Sequence, residues 1–139
     1  MATFNKINQF VEDVAHGVHN LGSNQIVVAL TNTAPTAATD AVLADLTEVS
    51  YANCSSRNVT TTSSAETTGT YKLTLTDLVL TASGGAVGAF RYVVLYNDTP
   101  TSPADPLIGW YDYGSSITLN DTETLTIDFD DANGALTLV

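Results

Sequence analysis

Two apolar runs separated by a proline-rich link constrain this chain more than any other feature. Residues 90–96 and 107–114 are rich in aromatic and β-branched side chains, and the link between them contains Pro100, Pro103 and Pro106. Runs of this composition, with turn residues between them and a glycine at the end, predict two antiparallel strands joined by a long loop. We expect this pair to form the centre of a sheet.

The first of these strands has apolar residues at both its even-numbered and its odd-numbered positions. Phe90, Tyr92 and Val94 would point to one face, and Val93 and Leu95 to the other, so we expect both faces to be covered. One cover would be a second sheet. The other would be a helix, a long loop or another subunit, because an exposed apolar face of that size is an interaction site.

Composition sets the broad class of the protein. The 139 residues are enough for one domain with a sizeable core. Fifteen acidic residues against four basic ones give a net charge of -11, which argues against a nucleic-acid partner, because phosphate contacts need clustered Lys and Arg. The single cysteine, Cys54, excludes an internal disulfide. The sequence has no signal peptide and no apolar run of about 20 residues, so we expect no membrane partner and synthesis in a cytoplasm.

The chain begins with an amphipathic pattern that predicts a short N-terminal helix. The pattern consists of six apolar residues, five of them at alternating spacings of three and four, with Phe10 beside them: Phe4, Ile7, Phe10, Val11, Val14 and Val18. Glu12 and Asp13 are predicted to lie on the solvent side of this helix. A helix of about three turns is marginal alone, and two interpretations stay open. It covers the outer face of its own sheet, or it reaches onto a partner as a docking arm whose interface is the six apolar residues.

Taken together with the central pair, the sequence predicts seven or eight strands, with turn signals at the spacing typical of a β-sandwich. Residues 25–31 read as a second two-sided strand, and Asn133-Gly134 marks a hairpin before an apolar C-terminus. The long segment 32–53 is expected to be structured or functional, and one place for it is over the sheet. We therefore predict an all-β fold, a β-sandwich of jelly-roll or immunoglobulin-like type. Residues 1–22 would form the helical segment or arm, and 23–139 a single sandwich domain.

The reactive side chains do not form a catalytic or metal-binding motif. His16 and His19 would share a helical face, but no third ligand is marked in the sequence. The acidic segment 128–133 fails the spacing of a calcium loop and is interpreted as the wet face of a strand. No activating motif surrounds Cys54. We predict a protein that is not an enzyme and uses no cofactor or metal.

Arg91 is the charge that most needs a partner, because it lies inside the apolar central strand. If the two central strands pair, either Asp112 or the rings of Tyr111 and Tyr113 would lie near it, forming an ion pair or a cation–π contact. We predict a structural or intersubunit pair between Arg91 and Asp112.

Five segments carry a resemblance that runs from one end of the chain to the other. They are residues 10–21, 30–36, 43–49, 90–97 and 107–114. In these segments the chain resembles small virion proteins of tailed bacteriophages that are similar to head decoration, or cement, proteins. The resemblance implies β-sandwich subunits that sit as trimers on the exterior of the capsid.

The expected function is therefore that of a non-enzymatic capsid decoration protein. Its partners would be further copies of itself in a homotrimer and the major capsid protein, whose neighbouring subunits it would bridge. The six apolar residues of the N-terminal segment are the candidate contact. The alternative is a tail or fibre component that binds a cell-surface glycan, with Trp110, Tyr111 and Tyr113 as candidate stacking rings.

Overall fold

A computed structural model describes residues 2–139 and shows a mostly β chain with several antiparallel sheets, as the all-β prediction requires. The helix α1 is Gln9–Ala15, and a single 3-10 turn covers Leu43–Asp45. The strands, in chain order, are β1 (Asn5–Lys6), β2 (Ile26–Thr31), β3 (Asn58–Val59), β4 (Thr61–Thr67), β5 (Thr70–Leu75), β6 (Leu78–Thr81), β7 (Val87–Asn97), β8 (Leu107–Leu119), β9 (Thr124–Ile127) and β10 (Leu136–Leu138).

The predicted central pair is the centre of the largest sheet. This sheet has five strands in the order β1-β8-β7-β2-β3. β7 pairs antiparallel with β8, with Tyr92 opposite Asp112 and Val94 opposite Trp110. On its other side β7 pairs with β2, where Ala29 lies opposite Val94. The pairing predicted from the two apolar runs is confirmed.

Both faces of β7 are covered, as its composition predicts. Val94 shares one face with its cross-strand partners Ala29 and Trp110, while Val93 shares the other with Leu30 and Tyr111. Val94 is fully buried and Val93 is 6% exposed. A strand that is apolar at both parities therefore lies in the interior of this chain.

The described residues also form two smaller sheets, and one of them, β6-β9, borders the face that carries Val93. Their strand orders are β10-β5-β4 and β6-β9. Val93 and Tyr111 line a cleft together with Leu125 and Ile127 of β9, and the Tyr111 ring meets Phe129 edge-on with 6.2 Å between centroids. This cover is supplied by the chain itself.

The long segment after β2 completes the edge of the five-stranded sheet. β3 pairs with only the first two residues of β2. Beyond them, the Val28 N–H donates to the Arg57 carbonyl at 3.0 Å, the Leu30 N–H donates to the Tyr51 hydroxyl at 2.9 Å, and the Val49 N–H donates to the Leu30 carbonyl at 3.0 Å. Because buried backbone groups need partners, this segment is structured and stands in for a strand neighbour.

Tyr51 is the side chain on which this edge depends. Its hydroxyl accepts from the Leu30 N–H and donates to Glu48 Oε1 at 2.7 Å, and the Arg57 guanidinium lies 3.6 Å from the ring centroid. Burial raises the pKa of the Tyr51 hydroxyl, which keeps it protonated.

We expect Tyr51→Phe to lower the free energy of unfolding by about 1 to 2 kcal/mol, because the Leu30 N–H loses its acceptor. Denaturant unfolding measures this, and Tyr113→Phe, at an exposed ring, is the control. Equal values for the two variants would contradict the role of the Tyr51 hydroxyl.

The N-terminal helix is shorter than predicted and presents a different face to the core. The chain is extended before α1, where β1 pairs with β8, so Phe4 precedes the helix, and Val18 follows it. Phe10 is 2% exposed and Asp13 is 5% exposed, whereas Val11 is 53% exposed. The prediction of a single apolar stripe on one helix was wrong, and so was the prediction that Asp13 lies on the solvent side. Residues 5 and 6 pair with the edge of the sheet, so the helix begins only at Gln9 and buries Phe10 and Asp13.

Candidate functional site

The predicted N-terminal interface residues pack largely on their own chain. Ile7 is fully buried and Phe10 nearly so, both within the hydrophobic core. The Phe4 ring packs against the Tyr111 ring, with 5.6 Å between centroids. In this conformation Ile7 and Phe10 are covered and do not present a surface to a partner, which agrees with the interpretation that the segment covers its own sheet.

The other three members of the predicted interface lie closer to solvent. Val14 and Val18 are half-buried, and Val14 packs against the edge of the core. Val11 has the most exposed side chain of the six, at 53%. A contact made by α1 in this conformation would therefore centre on Val11.

Arg91 and Asp112 form the predicted ion pair. Arg91 Nε donates to Asp112 Oδ1 at 2.8 Å, and Nη2 donates to Oδ2 at 2.9 Å, which is the bidentate geometry that suits a guanidinium. Hydrogen bonds from Arg91, and then from the Gly114 N–H, hold the pKa of Asp112 below its usual range. The two side chains are 39% and 38% exposed, so the expectation of a buried guanidinium was wrong. The nearby ring is Tyr92, at 5.4 Å, instead of Tyr111 or Tyr113.

This ion pair lies at an irregularity of the central strand pair. Phe90 is opposite Ile117, but Tyr92 is opposite Asp112. The four residues 113–116 of β8 therefore stand opposite the single residue Arg91 of β7, which makes a bulge of three extra residues. Both partners belong to one chain, and a half-exposed pair contributes little to stability. The pair joins the two strands across this bulge.

The three candidate stacking rings do not form one platform. Trp110 lies opposite Val94, on the face away from Tyr111, because neighbouring residues of a strand point to opposite sides. The Tyr111 ring lies among those of Phe4 and Phe129, and burial, with the nearby charge of Asp130, raises the pKa of its hydroxyl to about 12. Among the three rings, Tyr113 is the one that is largely open to solvent, at 52%.

Tyr111 and Tyr113 nevertheless share a small cleft, which we term the tyrosine cleft. Its volume is about 170 Å³, below the roughly 300 Å³ at which pockets begin to suit drug-sized ligands. This volume suits one ring or one side chain. The cleft lies where β8 faces β9, and its lining residues are Ala2, Val93, Tyr111, Tyr113, Leu125, Thr126, Ile127 and Asp128.

The two histidines lie in different environments. His16 is exposed, with Nδ1 3.7 Å from Glu12 Oε1, whereas His19 is 9% exposed and stacks at a tilt on Phe10, with 5.0 Å between centroids. Since α1 ends at Ala15, the two imidazoles do not share a helical face. Within residues 2–139, no group of three or more His, Cys, Asp or Glu side chains is placed to hold a metal ion.

The remaining candidates have structural roles. Burial raises the pKa of the half-buried Cys54 thiol, which disfavours the nucleophilic thiolate. Asp130 accepts hydrogen bonds from the backbone N–H and the side-chain amide of Asn133, both at 2.8 Å, and these bonds lower its pKa. The carboxylate therefore stabilises the turn before β10.

A buried polar network surrounds Asn97, and the local sequence pattern does not predict it. This side chain is fully buried, with its amide bonded to His19 and Asn24. The signal available in the sequence was an amide at the end of a run that is otherwise apolar. Such a residue has to find hydrogen-bond partners inside the protein, but its partners are more than 70 residues away in the chain.

No match was found when the chain was compared with models of protein families, with curated proteins and with solved structures. Among residues 2–139, no helix combines the length and apolar character needed to span a bilayer.

Proposed function

We propose that this chain is a non-enzymatic decoration protein of a tailed-phage capsid. It would bind the outside of the head as a homotrimer and bridge neighbouring subunits of the major capsid protein. The observation that carries the proposal is that the segments resembling phage virion proteins, although dispersed along the sequence, are neighbours in space.

Backbone and side-chain contacts join these segments directly. β7 pairs with both β2 and β8. Val49, from the long segment, donates its N–H to the Leu30 carbonyl, and Asn97 at the end of β7 bonds to His19 after α1. The five segments contribute most of β7 and α1, parts of β2 and β8, and the 3-10 turn, whereas the remaining strands lie outside them.

We also propose that the sheets form a two-layer β-sandwich of jelly-roll or immunoglobulin-like type. The contacts of Val93 and Tyr111 with β9, and of Tyr111 with Phe129, support a five-stranded layer facing the smaller sheets.

The proposed contact with the capsid centres on the rim of the tyrosine cleft. Ile7 and Phe10 are covered by their own chain, whereas the Tyr113 ring is 52% exposed. Tyrosine is enriched at protein interfaces because it combines a large apolar area with a hydroxyl. With a net charge of -11, the chain fits a capsid surface that is neutral or basic, since like charges across an interface oppose binding.

Light scattering and cosedimentation test the proposal. The purified protein is expected to have three times the 14.6 kDa mass of one chain and to sediment with shells that lack a decoration protein. A monomer that does not bind such shells would contradict both parts of the proposal.

Tyr113→Ser is expected to weaken shell binding about 30-fold, the effect of losing an interface residue worth about 2 kcal/mol. Its thermal unfolding should be close to that of the wild type, because the ring is exposed. Val11→Ser is the matched control, since Val11 is 53% exposed but lies on α1. Loss of binding in the Val11 variant alone would place the capsid contact on the N-terminal helix, against the surface proposed here.

The alternative is a tail or fibre component that binds a glycan. The observation that favours it is that the exposed Tyr113 ring and the Asp128 carboxylate border the same cleft, an arrangement that suits one sugar ring through stacking and hydroxyl hydrogen bonds. Glycan-array binding that is lost in Tyr113→Ser, by a protein with no affinity for shells, would establish this alternative in place of the capsid role.

A further inference from the structure

A buried hydrogen-bond network joins the N-terminal segment to the end of β7. The Asn97 side-chain nitrogen donates to His19 Nδ1 at 3.1 Å and to Asn24 Oδ1 at 2.9 Å, and the Asn97 oxygen accepts from the Thr99 N–H at 3.1 Å. Asn24 Oδ1 also accepts from the Asn20 N–H at 2.9 Å. The turn that follows α1 is thus bonded to the central sheet through one amide side chain.

These contacts assign the protonation state of His19. Because the Thr99 N–H requires the Asn97 oxygen as acceptor, the Asn97 nitrogen is the group that faces the imidazole, and it can only donate. His19 Nδ1 must therefore be the unprotonated nitrogen, and the ring proton lies on Nε2. The hydrogen bonds of this network are therefore compatible with a neutral imidazole. A protonated ring would carry N–H groups on both nitrogens, and Nδ1–H would oppose the Asn97 N–H groups.

Burial also disfavours a charge on His19. The side chain is 9% exposed, and this desolvation lowers its pKa from the usual value of 6.5, although the Asp13 carboxylate acts in the opposite direction. Nε2 of His19 and Oδ2 of Asp13 are both buried without a hydrogen-bond partner among residues 2–139, so no direct bond compensates a positive ring.

The other groups around His19 offer no further compensation. From α1, the Phe10 ring packs on the imidazole, and Glu12 pairs with His16 on the exposed side of the helix. From β5, Tyr71 lines the same cavity as His19, but its hydroxyl is bonded to Ser64 Oγ at 2.8 Å. Asp13 is therefore the one charged side chain with a marked effect on the ring.

We propose that His19 and Asn97 form an acid-sensitive latch that ties the turn after α1, and through it the end of the helix, to the sheet while His19 is neutral. Protonation breaks the bond to Asn97 and loosens the turn after α1 together with the end of the helix. This proposal does not rest on the capsid role.

The sign of the pH effect follows from the lowered pKa. Protonation favours the released state, in which His19 titrates near 6.5. The latch is therefore at full strength above about pH 6.5. Below that value the equilibrium constant for closing falls by up to about tenfold per pH unit, until the pH reaches the pKa of the closed state.

Hydrogen exchange on the whole chain tests the latch. Protection factors, corrected for the intrinsic pH dependence of exchange, are measured between pH 7.5 and 5.5. We expect those of α1 to fall by up to about tenfold over the last unit, while those in the centre of β7 stay constant. His19→Gln keeps an acceptor for Asn97 but does not titrate, so its α1 protection should be independent of pH. His16→Gln, at the exposed imidazole, should behave as the wild type.

Two outcomes would overturn the proposal whatever the stability of the variants. The first is pH-independent α1 protection in the wild type, or an equal loss throughout the chain, which would indicate global unfolding. The second comes from nuclear magnetic resonance of the wild-type His19 ring. The latch requires a midpoint below 6.5 with the proton on Nε2, and a midpoint at or above 6.5, or a proton on Nδ1, would exclude it.

Discussion

Replacing Phe10 with alanine is expected to lower the free energy of unfolding by about 3 to 5 kcal/mol, the usual cost of deleting a buried aromatic side chain. Phe10 is 2% exposed and packs on the His19 ring. Its loss would leave a cavity beneath α1 and remove one wall of the buried polar network. Denaturant unfolding monitored by circular dichroism measures the change.

The neighbouring residue supplies the control. Val11 differs from Phe10 by one position but is 53% exposed, so Val11→Ala should alter stability by no more than about 0.5 kcal/mol. If the N-terminal segment were a free arm, both variants would be close to the wild type. Small and equal effects would therefore show that α1 does not belong to the core.

Gly109→Ala is expected to destabilise the protein by about 2 to 3 kcal/mol, near the upper end of the usual cost of overpacking. A Cβ atom at Gly109 would collide with the Phe4 ring and with the Asn5 carbonyl oxygen. Either the Phe4 ring leaves its place beside Tyr111, or β1 separates from β8. The only tryptophan, Trp110, lies opposite Asn5, so release of β1 should shift its fluorescence emission to longer wavelength.

Gly22→Ala is the control for this substitution. A Cβ atom at Gly22 would have its nearest neighbours at 3.5 Å, an ordinary van der Waals distance. We expect a change within about 0.5 kcal/mol and an unchanged emission spectrum. If Gly109→Ala were equally mild, the close approach of Phe4 and β1 to β8 would not be a feature of the folded protein.

The central strand pair could be predicted because its sequence is unambiguous. Apolar residues at both parities of β7 leave an interior strand as the simplest solution, and the proline-rich link sets β8 beside it. The N-terminal segment was harder, since Phe4 and Phe10 have helical spacing although Phe4 precedes a strand and Phe10 lies on a helix. The spacing of apolar residues does not show that residues 5 and 6 pair with a sheet edge instead of joining the helix.

The candidate site was predictable only where partners lie on paired strands. Arg91 and Asp112 were found because the pairing of β7 with β8 implies their proximity. The position of Asp13 could not be predicted, because a buried carboxylate has no signature in a local pattern. His16 is the obvious neighbour of His19 in the sequence, but the residue that His19 contacts is Asn97, which lies 78 residues further along the chain. Contacts of this kind depend on tertiary packing, which periodicity does not encode.

The segment that completes the edge of β2 also restricts how copies of this chain can associate. An open strand edge invites another chain to extend the sheet by main-chain hydrogen bonds, which is a route to aggregation and fibre growth. Here Tyr51 and Arg57 occupy those bonding positions with side chains of the same molecule. A second copy therefore cannot extend the sheet by pairing with β2 at Val28 and Leu30, so these main-chain groups offer no start for fibre growth.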